Sequence, residues 1–237
     1  MAGKEKAVWI TGAGSGIGKA LTIEFIKNGS TVLGTSRRID VLNSLKNSLG
    51  DKQNNFHIYK IDVSDNESVA GFYKAASEKF DIDCLINNAG VTSFTKAEDD
   101  SIELIKNIIE VNLLGGIYTI KSVLQGMLDR KSGTIINILS VVTQKVFTSS
   151  SAYSASKSGL LAYTNVLREE IRDKNIRIIN ISPGATETPI WGESAVKKFS
   201  GKMMNAKDVA KLVYTLYSEK SNLVAENVVI RPITGDL

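Results

Sequence analysis

Two groups of residues have types and spacing that suit chemistry. Tyr153 and Lys157 stand at i and i+4 in Tyr153-Ser154-Ala155-Ser156-Lys157. On a helix that spacing puts both on one face, with a phenol beside an ammonium. A cation next to a phenol favours its ionised form and lowers its pKa. A tyrosine tuned this way can give a proton to, or take one from, an alcohol oxygen. The second group is the turn Thr11-Gly12-Ala13-Gly14-Ser15-Gly16-Ile17-Gly18. Gly12 permits a tight exit from a strand, Gly16 lets backbone N–H groups approach a pyrophosphate, and Gly18 lets helix and sheet pack closely. The helix N-terminus then faces the phosphates. The spacing is G-x-x-x-G-x-G rather than G-x-G-x-x-G. A plain surface turn can share this composition, but here the turn stands between an apolar strand pattern and a helical one.

The elements that must position these groups follow from hydrophobic periodicity. Strands are expected at 7–11, 31–35, 56–61, 84–87, 134–139, 177–181 and 228–230. Helical patterns fill 17–28, 40–49, 66–79, 101–129, 152–174 and 206–218. Alternation of this kind reads as repeated βαβ units with right-handed crossovers and a parallel sheet, in one domain over 1–237. The run Thr134-Ile135-Ile136-Asn137-Ile138-Leu139 has the near-continuous apolar character of a strand covered on both faces. Residues 182–205 form the one long irregular stretch after a strand. Ligands in open α/β sheets bind beyond the strands' carboxyl ends, so this stretch is a candidate lid.

Composition excludes several classes. The chain has 237 residues, 43% hydrophobic and 23% charged, which suits one globular core. Its formal charge of +4 is spread along the chain, and nucleic-acid binding calls for clustered basic residues. An anionic cofactor or substrate accounts for the excess. One cysteine, Cys84, allows no internal disulfide and fits a reducing, cytoplasmic setting. The charged start Met1-Ala2-Gly3-Lys4-Glu5-Lys6 runs directly into a strand. It reads as no signal peptide, and no apolar run is long enough to span a bilayer. No metal site is expected, and His57, early in the third strand, reads as structural.

The second strand ends in Ser36-Arg37-Arg38. A dinucleotide unit that takes NAD usually places a carboxylate here for the ribose 2′-OH, whereas an arginine accommodates a 2′-phosphate. The nearest carboxylate, Asp40, lies inside the next helix. NADP(H) is therefore the expected cofactor. Arg37 is the main contact, Ser36 supports it, and Arg38 either adds to it or points to solvent.

Thr11–Gly18, Asn87-Asn88-Ala89-Gly90, Asn112, Ser140, Tyr153–Lys157 and Pro183-Gly184 occur in an order that resembles the short-chain dehydrogenase/reductase family, in its short single-domain branch. The resemblance covers nearly the whole chain. It implies an α/β, Rossmann-type, doubly wound fold with a mainly seven-stranded parallel sheet and helices on both faces. It also implies nicotinamide-dependent chemistry between a carbonyl and an alcohol. By that resemblance Tyr153 is the acid/base and Ser140 polarises the carbonyl. Lys157 holds the nicotinamide ribose and lowers the Tyr153 pKa, and Asn112 supports a water relay. Gly12, Gly14, Ser15, Gly16, Ile17 and Gly18 cradle the dinucleotide. Asp62 and Val63 face the adenine, and Asn88, Ala89 and Gly90 leave room for the adenosine half. Tyr153, Lys157, Pro183 and Gly184 complete the cofactor site. Thr186 and Thr188 either contact the carboxamide or cap a helix.

Residue chemistry leaves some of these roles open. Ser140 at a strand end can be an ordinary turn serine. A buried Asn112 needs partners, which its own backbone can supply, while Gly115-Gly116 permit a local distortion of the helix. Segments 183–192 and 229–237 resemble bacterial sepiapterin-reductase-like members, without fixing a substrate. Small residues Ala155, Ser158, Gly159 and Ala162 lie on one face of the Tyr153 helix and favour close helix–helix approach. With the resemblance, they lead to an expected homodimer or homotetramer. The expected activity is an NADP(H)-dependent carbonyl reductase. An NAD-dependent alcohol dehydrogenase and a non-catalytic dinucleotide sensor are the alternatives.

Overall fold

The computed structural model of the chain describes residues 3–219 and 221–237; Met1, Ala2 and Lys220 lie outside the described residues. The elements run β1 (Glu5–Thr11), α1 (Gly16–Lys27), β2 (Thr31–Ser36), α2 (Ile39–Asn47), β3 (Phe56–Lys60), α3 (Asn66–Lys79) and β4 (Phe80–Asn87). After these come α4 (Ile102–Ile109), α5 (Gly115–Arg130), β5 (Gly133–Ile138), α6 (Ser151–Glu170) and β6 (Ile176–Pro183). The chain closes with β7 (Thr186–Glu187), α7 (Gly192–Phe199), β8 (Met204–Asn205), α8 (Ala206–Ser218) and β9 (Asn227–Ile230).

Seven strands form one parallel sheet in the order β3-β2-β1-β4-β5-β6-β9. The expected doubly wound, single-domain architecture is therefore present. The chain winds outward from β1 to β3 and then restarts on β1's other side with β4. The strand order reverses between β1 and β4, which opens a crevice at their carboxyl ends. One face of the sheet buries Trp9, Leu33, Leu85, Ile135 and Ile178 beneath α3, α5 and α6. The other buries Val8, Ile10, Ile86, Ile136 and Ile179 beneath α1, α2 and α8. Both faces are covered, which is why the strands read as apolar runs rather than alternating ones.

Strand register is fixed by a row of asparagines. Asn87 pairs in register with Asn137, Asn137 with Asn180, and Asn180 with Asn227. Each side-chain amide donates to the carbonyl oxygen of the next, at 3.0, 2.9 and 3.0 Å. Thr119 Oγ1 and Thr164 Oγ1 donate to the Asn87 and Asn180 oxygens. Buried amides cost free energy unless they are partnered. A one-residue slip of any strand would orphan them and turn its apolar set over.

Three expectations change. The helix expected over 101–129 is two helices joined by a π-helical turn at Glu110–Leu114. The glycines after it serve close packing: a Cβ on Gly115 would meet Val63, and one on Gly116 would meet Leu160, at 2.9 and 3.0 Å. Strand β4 starts at Phe80, earlier than expected, because Asp81 and Asp83 disguise an in-out alternation. They face Arg130 and Lys6 at 3.8 and 3.9 Å. The stretch 182–205 is largely regular: β6 extends to Pro183, β7 pairs with β8, and α7 lies between them. Two-residue strands and an eight-residue helix are too short to show in a periodicity reading.

Candidate active site

The crevice at the β1/β4 switch point opens into a cleft of about 580 Å³. Asn88 lines it, and the buried Thr11 supports it from beneath. The Thr11 hydroxyl accepts from the Asn88 and Ala89 N–H groups at 3.0 Å each. In return Asn88 Nδ2 donates to the Thr11 and Gly12 carbonyls at 2.9 and 3.2 Å. This exchange locks the ends of the two strands together. Thr11 was not among the expected site residues, because its task is to hold the backbone of its neighbours. Gly12 and Gly16 have φ of 64° and 52°, in the left-handed region that glycine enters without strain. A Cβ on Gly18 would lie 2.2 Å from the Gly12 carbonyl oxygen, so the turn closes only with glycine there. Gly14 sits against Val41, behind the wall of the cleft.

The first turn of α1 presents its N–H groups toward the cleft. Ser15, Gly16 and Ile17 line it; Ser15 forms no side-chain cap and the first turn holds no acidic residue. Free donors and the positive end of the helix dipole suit a phosphate. Arg37 and Arg38 line the same cleft, both exposed, and neither forms an ion pair among the described residues. Ser36 stands just off the wall, its hydroxyl accepting from the Arg38 N–H. These residues fit a dinucleotide that carries an extra phosphate.

Asp62 and Val63 lie off the cleft wall. Asp62 Oδ1 is taken by the N–H and hydroxyl of Ser64, and Val63, 7% exposed, packs on Gly115 within the core. Thr186 and Thr188 do line the cleft, and neither side chain caps a helix. Their hydroxyls donate to the Gly184 and Thr186 carbonyls, and Thr188 rests on Gly16, against which a Cβ would stand 3.1 Å away. Pro183 and Gly184 complete this side. Gly184 donates to the Ile230 carbonyl at 2.7 Å, which draws the chain after β9 over the strand ends.

Ser140, Tyr153 and Lys157 converge on one wall of the cleft. Ser140 follows β5 by two residues and caps the short 3-10 turn Val141–Thr143 by accepting from the Val142 N–H. Its hydroxyl neighbours the Tyr153 phenol. Desolvation pushes that phenol up to about 12, against a smaller downward pull from Ser140. The direction is opposite to what the Tyr153/Lys157 spacing alone predicts. Burial of the phenol sets that direction, and Lys157 does not offset it: its Nζ donates to the Ile138 carbonyl at 2.9 Å and stands 5.8 Å from the centre of the Tyr153 ring. Lys157 is only 4% exposed, and burial lowers its own pKa to about 8.

Asn112 lies within the π turn, just behind this wall. It clamps Val91 through both backbone atoms, at 2.8 Å each, and donates to Ser156 Oγ at 3.0 Å. Ser156 in turn donates to the Tyr153 carbonyl. Asn112 thus ties the loop after β4 to the helix that carries Tyr153. A Cβ on Gly90 would sit 3.3 Å from Asn112 Oδ1 and 3.4 Å from Lys157 Nζ, so both groups border the space that this glycine leaves free. A π turn within a helix often marks a functional position. Phe94 and Trp191, which the sequence offers either as members of an apolar, aromatic pocket or as core, stack near-parallel on the cleft wall, with ring centres 5.1 Å apart and planes at 20°. Metal-binding clusters are absent among the described residues, and no described helix is long and apolar enough to cross a membrane.

Comparison with known proteins gives a concordant picture. The sequence profile described as short chain dehydrogenase matches residues 6–198. An uncharacterized oxidoreductase of Staphylococcus saprophyticus is 32% identical over 232 residues, which span 97% of this chain and 98% of the relative. One from Staphylococcus aureus is 30% identical over 230 residues, again 97% and 98% of the two chains. Among solved structures, the closed form of a serine dehydrogenase complexed with NADP+ superposes with a TM-score of 0.90 at 28% identity, covering 98% of this chain and 96% of that one. An alcohol dehydrogenase from the archaeon Thermococcus sibiricus, complexed with 5-hydroxy-NADP, gives 0.88 at 28% identity and 97% of both chains.

Proposed function

The chain belongs to the short-chain dehydrogenase family of oxidoreductases, and from that premise we propose that it is an NADP(H)-dependent carbonyl reductase. The observation that carries the reading is the layout of one cleft. Ser140, Tyr153 and Lys157 share a wall, while the α1 N-terminus, Arg37 and Arg38 supply phosphate-binding groups. The NADP named in two of the structural relatives supports the cofactor assignment. When bound, the nicotinamide supplies the hydride that adds to the carbonyl carbon.

The residues of this chain do the rest. Ser140 donates a hydrogen bond to the carbonyl oxygen, which polarises it. Tyr153 delivers its proton to that oxygen as negative charge develops there. Its high pKa keeps it protonated and ready to donate at neutral pH. Fixed donors at the atom where charge appears stabilise the transition state more than the ground state. Lys157 places a cation near the ribose, and the Ser140 hydroxyl, which pulls the phenol downward, stabilises the phenolate left after transfer. Asn112, beside Lys157 across Gly90, borders the path by which a proton returns. Segment 182–205, seated on Gly16 through Thr188, closes over the nicotinamide and excludes water. Ala155, Ser158 and Ala162 are exposed on α6 and offer a flat face for a second copy, as a dimer or tetramer in the cytoplasm.

The test is steady-state turnover of a panel of ketones and aldehydes with NADPH and with NADH. Consumption of NADPH with at least one carbonyl compound, and a clear preference over NADH, is expected. An enzyme that uses both equally would sink the cofactor assignment. Inertness toward every carbonyl and alcohol tried would sink the activity.

A further inference from the structure

Away from the arginines, the cleft wall is apolar and partly aromatic: Val141, Val142, Phe147 and Ile190 join Phe94 and Trp191. Asp236 is the one acidic side chain on the wall among the described residues. Its charge is already met by Lys145 at 3.2 Å and Arg231 at 3.4 Å. Beside the side chains of Thr92, Thr148 and Ser150, what this region offers a ligand is apolar and aromatic surface. Phe94 comes from the loop between β4 and α4, and Trp191 from the turn between β7 and α7. Each ring spends one face on the other. Phe94 nevertheless stays 55% exposed. Exposed aromatic surface on the wall of a cleft is characteristic of a binding surface rather than of a core.

We propose that the Phe94–Trp191 stack is the specificity platform of this enzyme, taking the flat ring of an aromatic carbonyl substrate and selecting it over a saturated substrate of the same size. The inference rests on the carbonyl-reductase reading above and adds the substrate class. Aromatic rings attract one another in offset-parallel and edge-to-face arrangements, and a saturated ring gains only burial. A stack already near-parallel presents further ring surface in a fixed orientation. Its two members also come from separate segments, one of which carries Thr188 against Gly16. A ring lying on the stack therefore also steadies the segment that covers the nicotinamide.

The experiment uses a matched pair of ketones, acetophenone and cyclohexyl methyl ketone, with NADPH. The quantity read is the ratio of their kcat/KM values. Intrinsic reactivity of the two ketones cancels when this ratio is compared between wild type and variants. Trp191→Leu and Phe94→Leu should each lower the aryl preference by about 2- to 12-fold, the range for an aromatic contact beyond its area. Trp191→Phe should keep most of it. A ratio unmoved by both leucine variants overturns the platform, as does an equal fall for both ketones.

Binding gives a second readout. The chain has two tryptophans, and the other, Trp9, is fully buried with its indole N–H on Thr35 Oγ1 at 3.0 Å. Titrating 1-phenylethanol into the NADP+-loaded Tyr153→Phe protein, in which turnover is removed, should change an emission component that adding Trp191→Leu abolishes. The same titration with 1-cyclohexylethanol should change it far less. Equal responses to the two alcohols overturn the platform. Absence of ketone turnover with a ring-selective emission change would support the platform while defeating the reductase reading, so the two fail separately.

Discussion

The two ends of the cleft are built by different means. At the nucleotide end the backbone does the shaping: Gly12 and Gly16 in left-handed conformations, Gly18 against a carbonyl oxygen, and Thr11 and Asn88 locking two strand ends. At the substrate end, side chains from separate loops do it: Phe94, Phe147, Ile190 and Trp191, with the chain after β9 pinned by Asp236. A surface made of backbone is specified by local sequence and tolerates few replacements. One made of side chains can be altered contact by contact without disturbing the turn that holds the cofactor. Ser140, Tyr153 and Lys157 stand on the wall that both ends share.

Substitutions should separate the two ends, and the largest effect belongs at the junction. Tyr153→Phe is expected to lower kcat by about 10²- to 10⁴-fold, the usual worth of a general acid. NADPH affinity, measured by titration, should stay near the wild-type value. Retention of more than about a tenth of the wild-type rate would remove Tyr153 from its assigned role. Next comes Arg37→Ala, at the nucleotide end. A hydrogen bond to a charged group contributes about 1.5–3 kcal/mol, so NADPH binding should weaken roughly 10- to 150-fold. NADH binding and the aryl preference should hardly change. Equal losses for both cofactors would show that Arg37 does not read the 2′-phosphate.

Lys157 tests the shared wall through stability. Its folded pKa of about 8 lies below the ordinary 10.5, so the fold disfavours its charged form. The unfolded chain binds more protons between these two values, and stability contributed by this group rises with pH across that window. The cost is full below pH 8. At about 1.4 kcal/mol per unit it is on the order of 3 kcal/mol, less about 1 for the lost bond to Ile138. Lys157→Met should therefore be inactive yet melt several degrees higher at neutral pH, with the gain shrinking toward about pH 10. In the wild type, reduction should slow as pH rises through about 8, where the ammonium is lost. A melting gain that does not depend on pH would mean that charge burial is not its cause.

The smallest effect is expected at the substrate end. Asp236→Asn loosens pairs whose cationic partners, Lys145 and Arg231, are 56% and 40% exposed, and should cost less than about 1 kcal/mol. NADPH affinity should not move, while KM for ketones shifts modestly. An equal shift in both would erase the distinction between the two ends.

Legibility in the sequence follows the same division. The glycine turn, the Arg37 position and the Tyr153/Lys157 pair were readable because each depends on residues adjacent or one helical turn apart. The layered parallel sheet was readable because burial on both faces leaves continuous apolar runs. Phe94 and Trp191 stack across nearly a hundred residues of chain, and nothing local in either segment announces the other. The Tyr153 environment was misjudged for a related reason. Spacing brings Lys157 to the same face of α6, but the Ile138 carbonyl, at the end of β5, decides where its ammonium points. The packing of the Val63 side chain on Gly115, just after the π turn, is likewise a contact that no local pattern announces.

The asparagine row across β4, β5, β6 and β9 has a consequence for the conditions under which the site survives. It aligns the strands that deliver Asn88, Ser140 and Pro183, and it does so with amides, which neither titrate nor attract counter-ions. Acid, alkali and salt, which weaken ion pairs, leave such a row unchanged. Alignment of the strands is thus decoupled from the protonation events at Tyr153 and at Lys157, whose ammonium bonds the Ile138 carbonyl next to Asn137. The chemical hazard for such a row is deamidation. Conversion of Asn137 or Asn180 to aspartate would place a carboxylate where a donor is required, at positions buried from solvent.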